Sequence, residues 1–348
     1  MRNRMKYRIK SYTDDDHRNL IDFFRNTWMP SSMKKSDNWF SWLIHENPDG
    51  IRNIYPLILA YHGDVVVGMI VLSPTILFSN GEEYNVSWGR DLYVDPKYRR
   101  ENIALMLVNE WSALYDMALG AGVSENASKM YTKYAWTYCG RVNQYEKILM
   151  SVDAIRNSVE HGLRKACLIL SAMIYSYVIQ CTNMDRCNID VVEVKMFDDR
   201  VNDLWNKAKF QYGNICRRDL PILKWKYIRH PYNNYMIYEA KISEKYRGYA
   251  VVRIVDQYTA KIVDILTEKN DIETRTAIIK NIEDQLRIRG VRKIICWCKC
   301  SQLERSLIKR GYIKTYLPCD FVFKSKRRNL AEARNDWYIT GADSDLDR

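Results

Sequence analysis

The sequence predicts an α/β protein made of two tandem copies of one unit, each a mixed, largely antiparallel sheet flanked by helices. Three observations carry this. Short runs of strand character take turns with segments whose apolar residues recur at helical spacing. The outline of the first half returns in the second. The chain has 348 residues, the length of about two domains. Hydrophobic residues make up 47% of it, and only 14 Gly and 8 Pro interrupt the pattern, so it belongs with ordered globular proteins.

In the first half, "YRIKSY" (7–12) predicts a strand and "DDDHRNLIDFFRNTWM" (14–29) a helix with acidic residues in its first turn. "SDNWFSWLIHENPDG" (36–50) predicts a short helix stopped by Pro48 and Gly50. Residues 55–78 predict two strands joined by a turn at His62–Asp64, and "VSWGRDLYVD" (86–95) a further strand. Residues 100–119 predict one long helix. "AGVSEN" predicts a short strand, "ASKMYTKYA" a helix and "VNQYEKILM" a closing strand.

The second half repeats this. Trp42 and Pro48 are six apart, as are Trp225 and Pro231. Strand pairs follow, with Gly68 and Gly248 entering their second strands. Matched strands then hold Asp91 and Asp264, and each leads to a long helix. The expected domains are 1–150, a helical linker at 151–195, a second copy at 196–326 and a tail at 327–348.

The linker contains "LRKACLILSAMIYSYVIQC" (163–181). Its apolar run is short for a bilayer span and carries Ser, Tyr and Gln. A helix packed between the units is expected; a helix lying on a membrane surface, giving peripheral association, is the alternative. Nine cysteines, an odd number without framework spacing, suit a reducing compartment, and the N-terminus lacks signal-peptide character, so a cytoplasmic location is expected. "CWCKC" places Cys296, Cys298 and Cys300 on one strand face with no fourth ligand at metal-site spacing, so no metal is expected. The net charge of +12 favours anionic partners. No nucleic-acid module is legible, so no specific nucleic-acid partner is expected.

"VDPKYRRENIALML" (94–107) runs from strand through a basic turn into a helix start. Such a start is a natural anion site, because its first N–H groups have no internal partner. The spacing Arg99-x-x-Asn102-x-Ala104 resembles the Q/R-x-x-G-x-G/A turn of the Gcn5-related N-acetyltransferase (GNAT) superfamily. "ASKMYTKYAW" resembles that family's A-x-x-x-Y-x-K-x-G-F motif, with Ala127, Tyr131, Lys133 and Trp136 in register. Asn102, Arg100 and Ala135 stand where glycine is usual or common.

The resemblance implies acetyl-coenzyme A as cosubstrate. It places coenzyme contacts at Leu92, Tyr93 and Val94, at Arg99, Arg100, Glu101, Asn102, Ile103 and Ala104, and at Asn126. Tyr131 is the implied acid beside the leaving thiolate. Asp91 is the implied base, with His45 and Glu46 as alternatives. The stretches 218–231 and 335–347 resemble tandem members associated with bacterial surface polysaccharide synthesis, which implies a small-molecule acceptor such as an amino sugar or sugar nucleotide. Two other readings stay open: an aminoacyl transferase of the peptidoglycan-bridge type using charged tRNA, and a non-catalytic binding protein on the same scaffold. The second copy has "LTEKNDIETRT" (266–276) in place of the basic turn, and Leu307 in place of the tyrosine, so no coenzyme is expected there.

Overall fold

The structure, a computed structural model, describes residues 6–27, 37–50, 55–123, 125–149, 189–317, 319–328, 330 and 335–347. The expected 163–181 helix lies outside the described residues. Among the described residues no helix is long and apolar enough to cross a membrane. Contacts divide the chain into two units: 1–140 with 229–231 and 320–335, and 141–228 with 232–319 and 336–348.

The first unit begins with β1 (Arg8–Ser11), α1 (His17–Asn26) and α2 (Asp37–Ile44), then β2 (Leu57–His62), β3 (Val65–Ser79) and β4 (Glu82–Val94). A 3₁₀ turn over Pro96–Glu101 leads into α3 (Ile103–Leu114), β5 (Met117–Val123), α4 (Glu125–Lys133) and β6 (Thr137–Arg141). The second unit holds β7 (Asn143–Ile148), β8 (Asp190–Val194), α5 (Arg200–Ala208), β9 (Asn214–Cys216), the short α6 (Leu220–Leu223), β10 (Met236–Ile242), β11 (Lys245–Asp256) and β12 (Thr259–Thr267). It continues with α7 (Ile272–Ile288), β13 (Lys293–Lys299), α8 (Ser301–Lys309) and β14 (Ile313–Thr315). β15 (Asp320–Ser325) returns to the first unit, and β16 (Trp337–Thr340) closes the second.

Each unit has the same seven-stranded order. In the first it is β1-β2-β3-β4-β5-β15-β6, and in the second β8-β10-β11-β12-β13-β7-β14. β1-β2-β3-β4 and β5-β15 pair antiparallel in the first unit, as do β8-β10-β11-β12 and β13-β7-β14 in the second, while β4 with β5 and β12 with β13 are parallel. This is the mixed, largely antiparallel α/β fold expected. The units differ from the contiguous 1–150 and 196–326 by one exchanged strand each, and β8, expected within the 151–195 helical linker, is instead the edge strand paired with β10 in the second. β7 closes the first repeat in sequence but lies between β13 and β14, while β15 lies against β5. A repeat fixes which strands belong together by shape, not which copy supplies them. The expected 327–348 tail is not an appendage either: Trp337, Tyr338 and Ile339 are buried, and 336–348 belong to the second unit.

The helix expected over 100–119 ends at Leu114. Met117–Leu119 are strand, paired in parallel with Val86–Trp88 on one side and with β15 on the other. An apolar run buried on both faces carries no period, so helix and strand look alike in sequence there. Gly68 sits in close packing. A Cβ there would come within 3.2 Å of Ile103 and 3.3 Å of the Tyr93 carbonyl oxygen. The matching Gly248 would meet the Leu266 carbonyl oxygen at 2.8 Å.

Candidate active site

The site is built around β4. Its register with β3 slips between Ile70 and Leu72, so that Val71 faces two residues, Arg90 and Asp91. That is a β-bulge, which bends the strand and interrupts its ladder. Pairing of β4 with β5 stops at Trp88–Leu119, although both strands continue. A gap therefore opens beside residues 89–94.

The backbone groups facing this gap follow from the ladder. The Asp95 N–H donates to the Val67 carbonyl at 2.9 Å, which makes 67 and 95 a hydrogen-bonded pair. Such pairs alternate in an antiparallel ladder, so Tyr93 bonds to β3 while Leu92 and Val94 point their N–H and C=O groups away from it. The Val94 carbonyl bears this out, because it accepts from the Arg99 Nε at 3.3 Å. Of the three strand residues expected to offer amides, Leu92 and Val94 are the two turned to the gap.

The gap leads to the basic turn. Asp95 starts it by accepting from the Lys97 N–H. Asn102 ends it in the left-handed conformation, φ 60° and ψ 18°, the geometry that glycine serves and that Asn tolerates best among other residues. Its side chain makes no cap bond to α3, so the helix start keeps its donors for another partner. Arg99 and Arg100 are exposed, and Glu101 is engaged by Lys6 at 3.4 Å. A pocket of about 370 Å³ opens beside the turn, but Asp22, Asp64 and Asp95 against Lys97 make it unsuited to phosphate.

Under α3 one apolar cluster brings together Val94, Ile103 and Tyr131, with Leu92 and Ala104 packed against it. Trp111 lies beneath Gly89, where any Cβ would come within 2.5 Å of the indole ring. Its Nε1–H donates to Ser87 Oγ at 2.7 Å. Trp136 lies between Trp111 and Tyr131 in tilted ring contacts, with centroids at 5.1 and 4.7 Å. Burial pushes the Tyr131 phenol up to about 12, so it keeps its proton at neutral pH. Asn126 lies at the second position of α4. Asp91 is buried and sits on the other face of β4, the side of Tyr93 and Phe23, whose rings are 6.0 Å apart. His45 and Glu46 are exposed at the end of α2. Sequence reasoning missed the bulge and Trp111; "WGRD" holds the only hint, a glycine inside a strand.

A bulged fourth strand, a splayed parallel neighbour and a turn that opens a helix on free donors decide the fold. It is the GNAT fold. The model of the acetyltransferase (GNAT) family matches residues 15–125. Solved structures agree on the fold. A conserved protein of unknown function from Enterococcus faecalis, described as a probable N-acyltransferase, is 13% identical with a TM-score of 0.62, over 92% of this chain and 72% of that one. A GCN5-related N-acetyltransferase from Anabaena variabilis is 12% identical with a TM-score of 0.61, over the same shares. The Saccharomyces cerevisiae N-myristoyltransferase with bound myristoyl-CoA is 11% identical with a TM-score of 0.56, over 92% of this chain and 79% of that one. No curated protein sequence matches this chain.

The second GNAT-like unit carries a matching bulge, between Val251 and Val252 of β11, where Val263 of β12, next to Asp264, is the extra residue. There too the parallel pairing of β12 with β13 stops early, at Ile262–Cys296. But here β16 bonds to β13 at Cys298 and Lys299, just past that point. β7 covers the other edge of β13, so β16 lies on the β12 side, in the gap. Asp264 is tied down by Arg218 at 3.2 Å, Thr340 at 2.9 Å, Tyr249 at 3.0 Å and Tyr227 at 3.2 Å. Arg218 also bonds Asp343. Burial alone would raise the Asp264 carboxyl, but the Arg218 and Lys226 charges and the Thr340 and Arg218 hydrogen bonds hold it below the usual carboxylate range. At the start of α7, Asp271 accepts from the Thr274 N–H at 3.0 Å, so the helix caps itself.

Proposed function

We propose that the first unit transfers an acetyl group from acetyl-coenzyme A to an amine or hydroxyl. The observation that supports this best is the gap beside β4, faced by the Leu92 and Val94 N–H groups and ending at the uncapped start of α3. The residues present suit the coenzyme. The α3 start and the exposed Arg99 and Arg100 would hold its phosphates. The coenzyme supplies an activated thioester.

The chain's own groups do the rest. The Leu92 or Val94 N–H polarises the thioester carbonyl. Asp91 takes the proton from the acceptor as its nitrogen or oxygen bonds to the carbonyl carbon. Tyr131 donates a hydrogen bond to the sulfur as the C–S bond breaks. Asp91 and Tyr131 lie on opposite faces of β4, so acceptor and leaving group approach from opposite sides. An amino sugar or sugar nucleotide is the acceptor class to test first.

Calorimetry of the whole chain with acetyl-coenzyme A tests the reading. One site per chain is expected. No binding up to millimolar ligand would overturn it, and steeply salt-dependent binding of tRNA in its place would favour an aminoacyl transferase.

A further inference from the structure

The extra residue of the β4 bulge is Arg90. The extra residue of the matching bulge in β12 is Val263. The two bulges are alike, so the backbone does not need an arginine there. Arg90 is half-buried, and its Nε is enclosed without any hydrogen-bond partner. None of the described residues forms an ion pair with its guanidinium.

The other enclosed arginines among the described residues have a counter-charge or carbonyls to meet. Arg218 meets Asp264 and Asp343, Arg310 meets Glu283 at 2.6 Å although its Nε is unpartnered too, and Arg275 meets the carbonyls of Glu268 and Lys269. A guanidinium cannot shed its charge, and drawing it out of water without a partner is unfavourable. Arg90 and Asp91 both oppose Val71, which places them on the same face of the strand. Arg90 stands four residues before Val94, about 13 Å along a strand at ~3.3 Å per residue. That distance separates it from the phosphate turn and leaves it beside the candidate base.

We infer that Arg90 forms an anion subsite for the acceptor, binding a carboxylate or phosphate that the acceptor carries besides its reacting amine or hydroxyl. This rests on the transferase reading above. The planar fork of arginine suits either oxyanion in a bidentate contact. Asp91 alongside then takes the proton from the group to be acylated.

The test uses the full chain saturated with coenzyme A, and three sugars of one frame: glucosamine, glucosamine 6-phosphate and muramic acid. Calorimetry should show at least one of the two anionic sugars bound ten times or more as tightly as glucosamine, and which one identifies the anion. Arg90→Val, the residue of the second unit, should erase the preference and leave glucosamine and acetyl-coenzyme A affinity unchanged. Arg90→Lys should retain part of it. Equal binding of all three sugars, no binding of any, or a preference that survives in Arg90→Val would overturn the inference. If acetyl-coenzyme A binds normally while the preference is absent, this inference alone fails; if acetyl-coenzyme A does not bind, the transferase reading fails.

Discussion

Beside β4 the ladder opens onto a gap; beside β12 the same opening is filled by the chain itself. Backbone that would have faced a ligand there faces β16, and the carboxylate at the bulge is neutralised by Arg218. The helix start differs in the same sense. Asn102 leaves the donors of α3 uncapped, whereas Asp271 occupies those of α7. A pocket of about 590 Å³ does lie at that second turn, but Glu268, Asp271 and Glu273 line it against Arg247. Each feature that suits an anionic coenzyme in one unit has, in the other, an internal substitute. The second unit thus keeps the frame by satisfying it from within.

The largest effect should come from unplugging the filled gap. Arg218 is fully enclosed between Asp264 and Asp343. Arg218→Met would leave two buried carboxylates without the ion pair that joins them, a loss of about 3–5 kcal/mol. Urea denaturation should show that loss, with acetyl-coenzyme A affinity in the folded variant unchanged. A stability within 1 kcal/mol of the wild type would mean, on the order of what exposed pairs contribute, that the cluster is not what holds β16.

Next comes Tyr131, whose counterpart is Leu307. Both begin the same helix ending: Trp136 N–H donates to the Tyr131 carbonyl at 3.1 Å, and Tyr312 N–H to the Leu307 carbonyl at 3.0 Å. Tyr131→Phe keeps the packing with Trp136 and removes the hydroxyl. The barrier should rise by about 2–4 kcal/mol, roughly 30- to 1,000-fold in kcat, with coenzyme affinity little changed. Unaltered turnover would reduce Tyr131 to the packing role that Leu307 has.

A smaller effect is expected at the turn. Arg99→Glu with Asn102→Asp would give the first unit the acidic, self-capping start of the second. Acetyl-coenzyme A should bind at least tenfold more weakly, about 1.4 kcal/mol. Undiminished affinity would show that the coenzyme lies elsewhere.

Much of this was legible in the sequence. The alternation of elements, the duplicated outline and the turn are local patterns, and local patterns survive in a single chain. Asn102 is a good example, since its tolerance of positive φ follows from residue type alone. What was not legible depends on distant pairing. Nothing in "VNQYEKILM" says that it joins β13, 150 residues on, and nothing in "DWYIT" says that it fills a gap in another sheet position. The orientation of Leu92 and Val94 needed a register, and Arg90 needed the bulge. The exchange of β7 and β15 also bears on experiments. A fragment cut at 196 would lack β7, so coenzyme stoichiometry has to be measured on the whole chain.

The smallest effect would sharpen the comparison most finely. Where α4 ends, Ala135 takes φ 63°; where α8 ends, Gly311 takes φ 79°. Both residues sit in the left-handed position that closes a helix, with the next residue's N–H returning to the carbonyl of the last turn. An L side chain there costs about 1–2 kcal/mol, while glycine gives back roughly 0.5–1 kcal/mol through the freer unfolded chain. Ala135→Gly should therefore stabilise the protein by about 0.5–1 kcal/mol, and Gly311→Ala should destabilise it by a similar amount. Denaturant midpoints of the two variants, compared with the wild type, should move in opposite directions. Because Ala135 adjoins Trp136, which packs on Tyr131, the first change also asks whether the alanine is retained for the site. Greater stability with unchanged turnover would make Ala135 a neutral departure from the family motif. Greater stability with lower turnover would show that the strained helix end holds Trp136, and through it Tyr131, in the working position.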